Sequence, residues 1–373
     1  MKNLSLTCIS FFCLANLLFA QTNEDQLIDE MVGQVDTEEL RLIVEQLSGA
    51  MPLTDGSLID TRRVGTEGNK KATDYIAEQY SNIGNLNIKL DSFNTLGTER
   101  LVGFLFKLLV FPTLDPEQTE ELLDQLDKNI AFIKNNNIRR SENILATLRG
   151  ETGKFVFSTA HYDSIVLSAD PYEIIEGIFA PGADDNATGV AATIIAARIL
   201  SQYQFTNNIC FMNPAVEELG MLGSISYVLQ NIIGLKKINS VINVDMIGYD
   251  HDSDRLLNIS YGEDSMKDVV SEEYDRLGLD IDPVLLNIDA LSETEDPMAS
   301  DHFSFYMFGG IGRAVSFAEA FWASETEYDI NEANVGYHKE TDTIDNINFS
   351  YMTEIVKLYV ATLAREAGVI GRR

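Results

Sequence analysis

The sequence predicts an α/β fold, a three-layer α/β/α sandwich around a central, mainly parallel mixed sheet. Three observations carry that prediction. Short apolar runs of β type alternate with longer stretches of helical periodicity, the pattern of a sheet built by crossovers and covered on both faces. Three of the apolar runs, Phe155–Phe157, Ile209–Met212 and Val241–Val244, lead directly into imidazole or carboxylate groups. In open α/β sheets ligands bind outside the carboxyl ends of the strands, so such endings belong to a site. Finally, 373 residues at 45% hydrophobic content suffice for one large core or two domains, and no repeat, low-complexity linker or composition shift divides them. One domain with insertions, residues 21–373, is the simplest reading.

Taken in order, residues 1–20 read as an export signal: Lys2 is its positive end, Ile9 to Phe19 its apolar core, and Leu18-Phe19-Ala20 a cleavage site. An uncut anchor is the other reading. Residues 22–49 carry helical periodicity in Leu27, Ile28, Met31, Val32, Leu40, Ile43, Val44 and Leu47, giving one or two leading helices. A helix follows over Asn69–Ile83, with Thr66 as N-cap and Gly84 as C-cap. Asn87–Phe93 alternates as a strand. Residues 94–140 read as a helical insertion, with an apolar run Leu101–Phe111 and a polar helix Pro116–Asn135; it either roofs the active site or packs peripherally. Strands are expected at Asn143–Leu148, Leu256–Ser260, Val284–Leu286 and Ile311–Phe317. Helices are expected over Ala187–Leu200, Met221–Ile233, Met266–Leu277 and Ser350–Ala367.

Charge bounds the partners. With 27 Lys+Arg against 58 Asp+Glu, the net charge is −31, which repels nucleic acid and anionic membranes. Beyond the leader no run is long enough to span a bilayer, so no membrane partner remains once it is cleaved. Cys8 and Cys13 fall in the leader, which leaves Cys210 alone in an apolar strand, a buried core thiol with no disulfide available. An exported protein, periplasmic or extracellular, is implied; the oligomeric state is not.

The polar endings form a constellation. Ala160-His161-Tyr162-Asp163, Gly182-Ala183-Asp184-Asp185-Asn186, Glu217-Glu218, Asp245 and the distant His338 combine imidazole with carboxylates. Charged groups are rarely buried unless paired or metal-bound. Mixed N and O ligands suit zinc best, with manganese or cobalt as alternatives.

Six phrases, AHYDS (160–164), GADDNATG (182–189), EELGMLGS (217–224), NVDMIGY (243–249), SDHFSF (300–305) and HKETDT (338–343), occur in an order that resembles the M28 family of metallopeptidases, the co-catalytic di-zinc aminopeptidases. The resemblance runs from about Glu39 to the C-terminus. It implies a zinc-dependent exopeptidase fold, peptide substrates and two Zn2+ per chain. It makes His161, Asp184, Glu218, Asp245 and His338 the metal ligands, with Asp184 bridging: His161 and Asp245 complete one site, Glu218 and His338 the other, and one water lies between the ions. Glu217 is the implied general base and Asp163 the partner that orients His161. A cis peptide is implied at Asp184–Asp185, and Asn186 is a candidate cap for the following helix.

Asp301 and His302 match the family's SDH phrase near the substrate. Asp342 is placed to orient His338 or pin its loop. His251 lies in an exposed acidic loop. Arg313 stands where the family commonly has Pro: it either binds a substrate carboxylate, which would favour carboxypeptidase or dipeptidase action, or pairs with one of the many acids, the favoured reading. Asp296-Pro297-Met298 occupies the place where some secreted members have a substrate-contacting Tyr. Glutaminyl-cyclase-like relatives usually use one zinc and lack the Asp-Asp-Asn wording, and non-catalytic relatives lose ligands; neither departure occurs here.

Overall fold

The computed structural model describes residues 23–109, 116–168, 173–175, 177–288, 300–319, 322–324, 327–328 and 333–373. The leader, part of the Leu101–Phe111 run and Asp296-Pro297-Met298 lie outside them.

Helices α1 (23–32), α2 (Thr37–Leu47) and α3 (Glu67–Ile83) come first. The caps of α3 form as its sequence dictates. The Thr66 hydroxyl accepts from the Asn69 amide at 3.1 Å, and Gly84 takes the left-handed conformation at φ 84° that ends the helix. Strand β1 (Leu86–Asn94) is followed by α4 (Thr95–Leu109) and α5 (Pro116–Asn135), then β2 (Arg140–Leu148) and β3 (Phe155–Thr159). A turn over Ala183–Thr188, non-helical at Asp185 and Asn186, opens α6 (Gly189–Leu200). Next come β4 (Tyr203–Phe205), β5 (Asn208–Asn213), α7 (Leu222–Gln230), β6 (Ile238–Val244), β7 (Leu256–Tyr261), α8 (Asp264–Leu277) and β8 (Asp282–Asn287). The chain closes with α9 (Asp301–Met307), β9 (Ala314–Glu319), β10 (Trp322–Ser324), β11 (Glu327–Tyr328), α10 (Phe349–Ala367) and β12 (Val369–Arg372).

Eight of the described strands form one sheet in the order β1-β2-β5-β3-β6-β9-β7-β8. Its centre, β5-β3-β6-β9, is parallel; β1 and β2 join antiparallel at one edge, and β7 with its parallel neighbour β8 reverses at the other. The two-residue period of the strands sorts their side chains onto two covered faces. Val156, Ile209, Phe211, Ile242 and Val244 join α3, α6 and α10 in one core cluster, while Phe157, Cys210, Met212 and Val241 meet Val228 of α7 and Phe305 of α9 in the other. Cys210 is a core residue whose thiol burial pushes up to about 12.

The chain leaves β3 and returns as β5 on one side, then crosses to β6 on the other. That reversal makes the end of β3 a topological switch point, where a cleft opens between diverging connections. The inserted helices lie beside it: α4 packs on α5 and α7, and the side-chain amide of Asn129 on α5 donates to the Leu219 carbonyl at 3.1 Å.

Candidate metal centre

His161 follows β3, Glu217 and Glu218 follow β5, and Asp245 follows β6, so three adjacent parallel strands deliver four polar groups to one place. Asp185 and His338 reach it from loops. Asp185 lies between the two imidazoles: its Oδ1 is 3.2 Å from His161 Nε2 and its Oδ2 is 3.2 Å from His338 Nε2. Asp245 Oδ1 is 3.2 Å from His161 Nε2, and Glu218 Oε2 is 2.7 Å from His338 Nε2. Two groups with metal-ligand spacing result, His161–Asp185–Asp245 and Asp185–Glu218–His338, sharing Asp185.

The expectation for the doublet is therefore corrected by one residue. Asp184, expected to bridge, points away from both imidazoles. Its Oδ1 accepts from the Gly248 amide at 2.8 Å and the Thr188 hydroxyl at 3.2 Å, and its Oδ2 accepts from Asn334 Nδ2 at 2.9 Å. Buried Glu319, at the end of β9, adds a fourth contact; burial and Asp184 hold its carboxyl well above the usual range. With its donors already supplied, Asp184 has no capacity left for a cation. The cis peptide likewise falls at Asp185–Asn186 rather than at Asp184–Asp185.

Asp342 fixes this turn. Its two oxygens accept the Asp184 and Asp185 amides, each at 3.0 Å, so it pins the loop rather than His338. Asn186 Oδ1 accepts the Gly189 amide at 2.9 Å at the start of α6. Asp163 does the same work for the other loop, accepting the amides of Glu217 at 3.0 Å and Glu218 at 3.3 Å. It stands 3.8 Å from His161 Nδ1, beyond hydrogen-bond reach, although Nε2 does face the centre. Positive φ at Val216, Gly220 and Met221 turns the chain so that both glutamates face one way.

Glu217 Oε2 lies 3.9 Å from His161 Nε2. Burial raises its carboxyl well above the ordinary range; His161 opposes this, and Asp301, Glu218 and Asp245 add to it. Glu218 rises to about 7, by burial and by Asp185. Burial would lower both imidazoles, but the carboxylates raise His161 well above its usual value and His338 to about 10. Asp185, between the two imidazoles, is instead held low by both. Metal ligands bind deprotonated, so a dication would lower Glu218 and both imidazoles. Among the described residues Glu218 Oε1 and His161 Nδ1 are buried without a hydrogen-bond partner. Two imidazoles with carboxylate oxygens fit zinc.

Asp301 is buried beside Glu217 and raised to about 7 by burial. His302 is a neutral core imidazole: burial drops it to about 3, and Nε2 meets the Ser260 hydroxyl at 3.3 Å. His251 stays outside the centre, stacked on Tyr249. Arg313 is not near it either. Arg313 precedes β9, at the opposite end of the sheet, where it binds Glu366 and the Ser265 hydroxyl.

The same geometry adds residues that sequence reasoning left out. Ser300 donates to Asp245 Oδ2 at 2.5 Å, and the Tyr337 ring stacks on His338 with centroids 3.7 Å apart. Glu319, Asn334 and Arg62 also support the centre.

The model of Peptidase family M28 matches residues 143–363, more than half of the chain. The chain belongs to peptidase family M28. Aminopeptidase YwaD of Bacillus subtilis is 28% identical over 230 residues, 60% of this chain and 44% of that protein. A probable leucine aminopeptidase 1 of Trichophyton verrucosum is 30% identical over 224 residues, 58% of this chain and 56% of its own length. The chain thus spans about half the length of these M28 relatives. The zinc aminopeptidase BSAP from Bacillus subtilis has the same fold, with a TM-score of 0.63 at 17% identity over 90% of this chain and 96% of that one. So does the glutaminyl cyclase of Porphyromonas gingivalis, with a TM-score of 0.62 at 14% identity over 89% and 98%.

Proposed function

We propose that this chain is an exported, zinc-dependent aminopeptidase that hydrolyses N-terminal residues of peptides with two zinc ions. One observation carries the reading: Asp185 is shared between a His161–Asp245 pair and a His338–Glu218 pair, with Glu217 beside them and bonded to neither. His161, Asp185 and Asp245 would hold one ion, and Asp185, Glu218 and His338 the other. When bound, the ions supply Lewis acidity, which favours charge developing on the scissile carbonyl and makes a nearby water more acidic. Glu217 takes the proton from the attacking water and delivers it to the leaving amine. Asp163 and Asp342 keep the two ligand loops in register by holding their amides. The aminopeptidase names of the M28 relatives support the substrate class. Among the described residues no helix is long and apolar enough to cross a membrane.

The carboxypeptidase alternative rested on Arg313, which is occupied by Glu366 at the far end of the sheet. The cyclase alternative shares the fold, but nothing in the donor set favours it. The test is a matched panel of dipeptides, N-blocked peptides and C-amidated peptides, with zinc and with chelator. Cleavage that needs a free N-terminus and zinc supports the proposal. Cleavage of N-blocked peptides, or loss of ammonia from N-terminal glutamine in place of hydrolysis, overturns it.

A further inference from the structure

We propose that Arg62 is a positioning residue for metal loading, the bolt that joins the His161 segment and the Asp185 turn to the end of α2. The proposal rests on the metal-centre reading above and concerns how that centre is assembled.

Arg62 is completely buried. A guanidinium has five N–H donors in a fixed planar fork. All five end on backbone carbonyls, drawn from three parts of the chain. Nε donates to Tyr162 at 2.8 Å, Nη1 to Leu47 at 2.9 Å and Pro181 at 2.6 Å, and Nη2 to Gly182 at 2.8 Å and Asp185 at 3.3 Å. Leu47 is the last residue of α2, where a cation also meets the negative end of the helix dipole. Tyr162 directly follows His161, and Gly182 and Asp185 bracket the turn. The backbone of Arg62 adds a second brace: its amide donates to Ser164 Oγ at 3.1 Å, and that hydroxyl donates to Ala180 at 2.9 Å.

The turn is cut to fit the fork. A Cβ on Gly182 would lie 2.7 Å from Arg62 Nη2 and 2.6 Å from Ser164 Cβ, and Gly182 has φ 51°. Because every donor is spent on a carbonyl, no carboxylate neutralises Arg62 by contact. Its charge acts through space on Asp342, Asp185, Asp163 and Glu218. Two roles are therefore separable. A positive charge beneath the centre repels a dication, whereas the fork fixes ligands from two loops in one geometry. The number and spread of the carbonyls make positioning the dominant role.

The experiment compares the full chain with Arg62→Lys, which keeps the charge but has at most three donors and no planar fork, and Arg62→Met, which keeps neither. Zinc affinity is measured by competition with a chromophoric chelator, alongside melting of the metal-free protein and separate kcat and KM. Both variants are expected to bind zinc ~10–100-fold more weakly, as when supports of metal ligands are removed. The kcat should fall while KM stays within about threefold, because the substrate is not touched. Wild-type affinity in Arg62→Lys would show that charge alone matters, and tighter zinc binding in Arg62→Met would show that repulsion dominates; either overturns the proposal. Should both variants fail to fold, Arg62→Gln decides, since it keeps a planar group with two N–H donors and loses the other three. Weaker zinc binding in Arg62→Gln upholds the proposal, and unchanged binding overturns it. A wild-type chain that binds no zinc overturns the metal-centre reading and this inference together. A wild type that loads and cleaves, beside an Arg62→Lys variant that does both equally well, overturns this inference alone.

Discussion

Two sets of buried and half-buried acids meet at the centre and behave in opposite ways. Asp163, Asp184 and Asp342 form the rear set, whose oxygens are taken up by backbone amides, a hydroxyl and a side-chain amide. Asp185, Glu217, Glu218 and Asp245 form the front set, which faces imidazoles and other carboxylates and has few protein donors. A carboxylate saturated by protein donors holds backbone in place. One left short of donors is held for a cation or a proton. The distinction is set by hydrogen bonding rather than by residue type, which is why neighbours in sequence, Asp184 and Asp185, fall on opposite sides of it.

The sharpest way to break the comparison is to neutralise the two neighbours separately. Asp185→Asn should weaken zinc binding at least ~100-fold and leave no measurable peptidase activity, since it removes the shared ligand. Asp184→Asn should stay within about tenfold of wild type in zinc titration and turnover. Equal losses in both would erase the front–rear distinction. Glu217→Gln comes next, with kcat falling ~10²–10⁴-fold while zinc stoichiometry is unchanged; a parallel loss of metal would make Glu217 a ligand instead. In the rear set, Asp342→Asn keeps one acceptor oxygen for two amides. Leaving one buried N–H unsatisfied should cost about 1–3 kcal/mol in denaturant melts of the metal-free protein.

A third kind of buried acid sharpens the contrast further from the site. Glu99 on α4 is buried with no hydrogen-bond partner for either oxygen among the described residues, and burial raises it to about 8 from an ordinary 4.5. The folded chain holds this proton where the unfolded chain has released it. Its effect on stability is therefore absent below pH 4.5, grows unfavourable as pH rises from 4.5, and levels off above 8. Glu99→Gln should raise the melting temperature at pH 8 and leave it unchanged near pH 4; a shift of equal size at both values contradicts the assignment. The smallest effect belongs to Arg313→Ala, for which kcat/KM should stay within about twofold on peptides with free or amidated C-termini.

Much of this was legible in the residues themselves. The short apolar runs Phe155–Phe157, Ile209–Met212 and Val241–Val244 specify strands buried on both faces, and the polar residues just beyond them mark the switch point. His161, Glu218, Asp245 and His338 follow from that reasoning together with the family phrases. The doublet did not follow, because the competing donors come from Thr188, Gly248, Asn334 and Glu319, four separate parts of the chain. Arg62 was hidden for a related reason: its acceptors are carbonyls, which carry no side-chain code. Arg313 could have been placed from sequence. A residue preceding a parallel strand of six residues stands ~20 Å from that strand's carboxyl end.

The two-stranded pairing of β12 with β4 has a practical consequence for handling the protein. Strand β4 leads into the amino end of β5, so the C-terminal residues sit on the side of the sheet opposite the cleft. The amino-terminal helix comes to the same side, with Glu30 bound to Arg372 at 2.6 Å and Glu24 to Arg365 at 3.1 Å. A tether, label or fused partner attached at either end of the described chain therefore departs from the rear of the molecule, and an immobilised sample turns the metal centre toward solution.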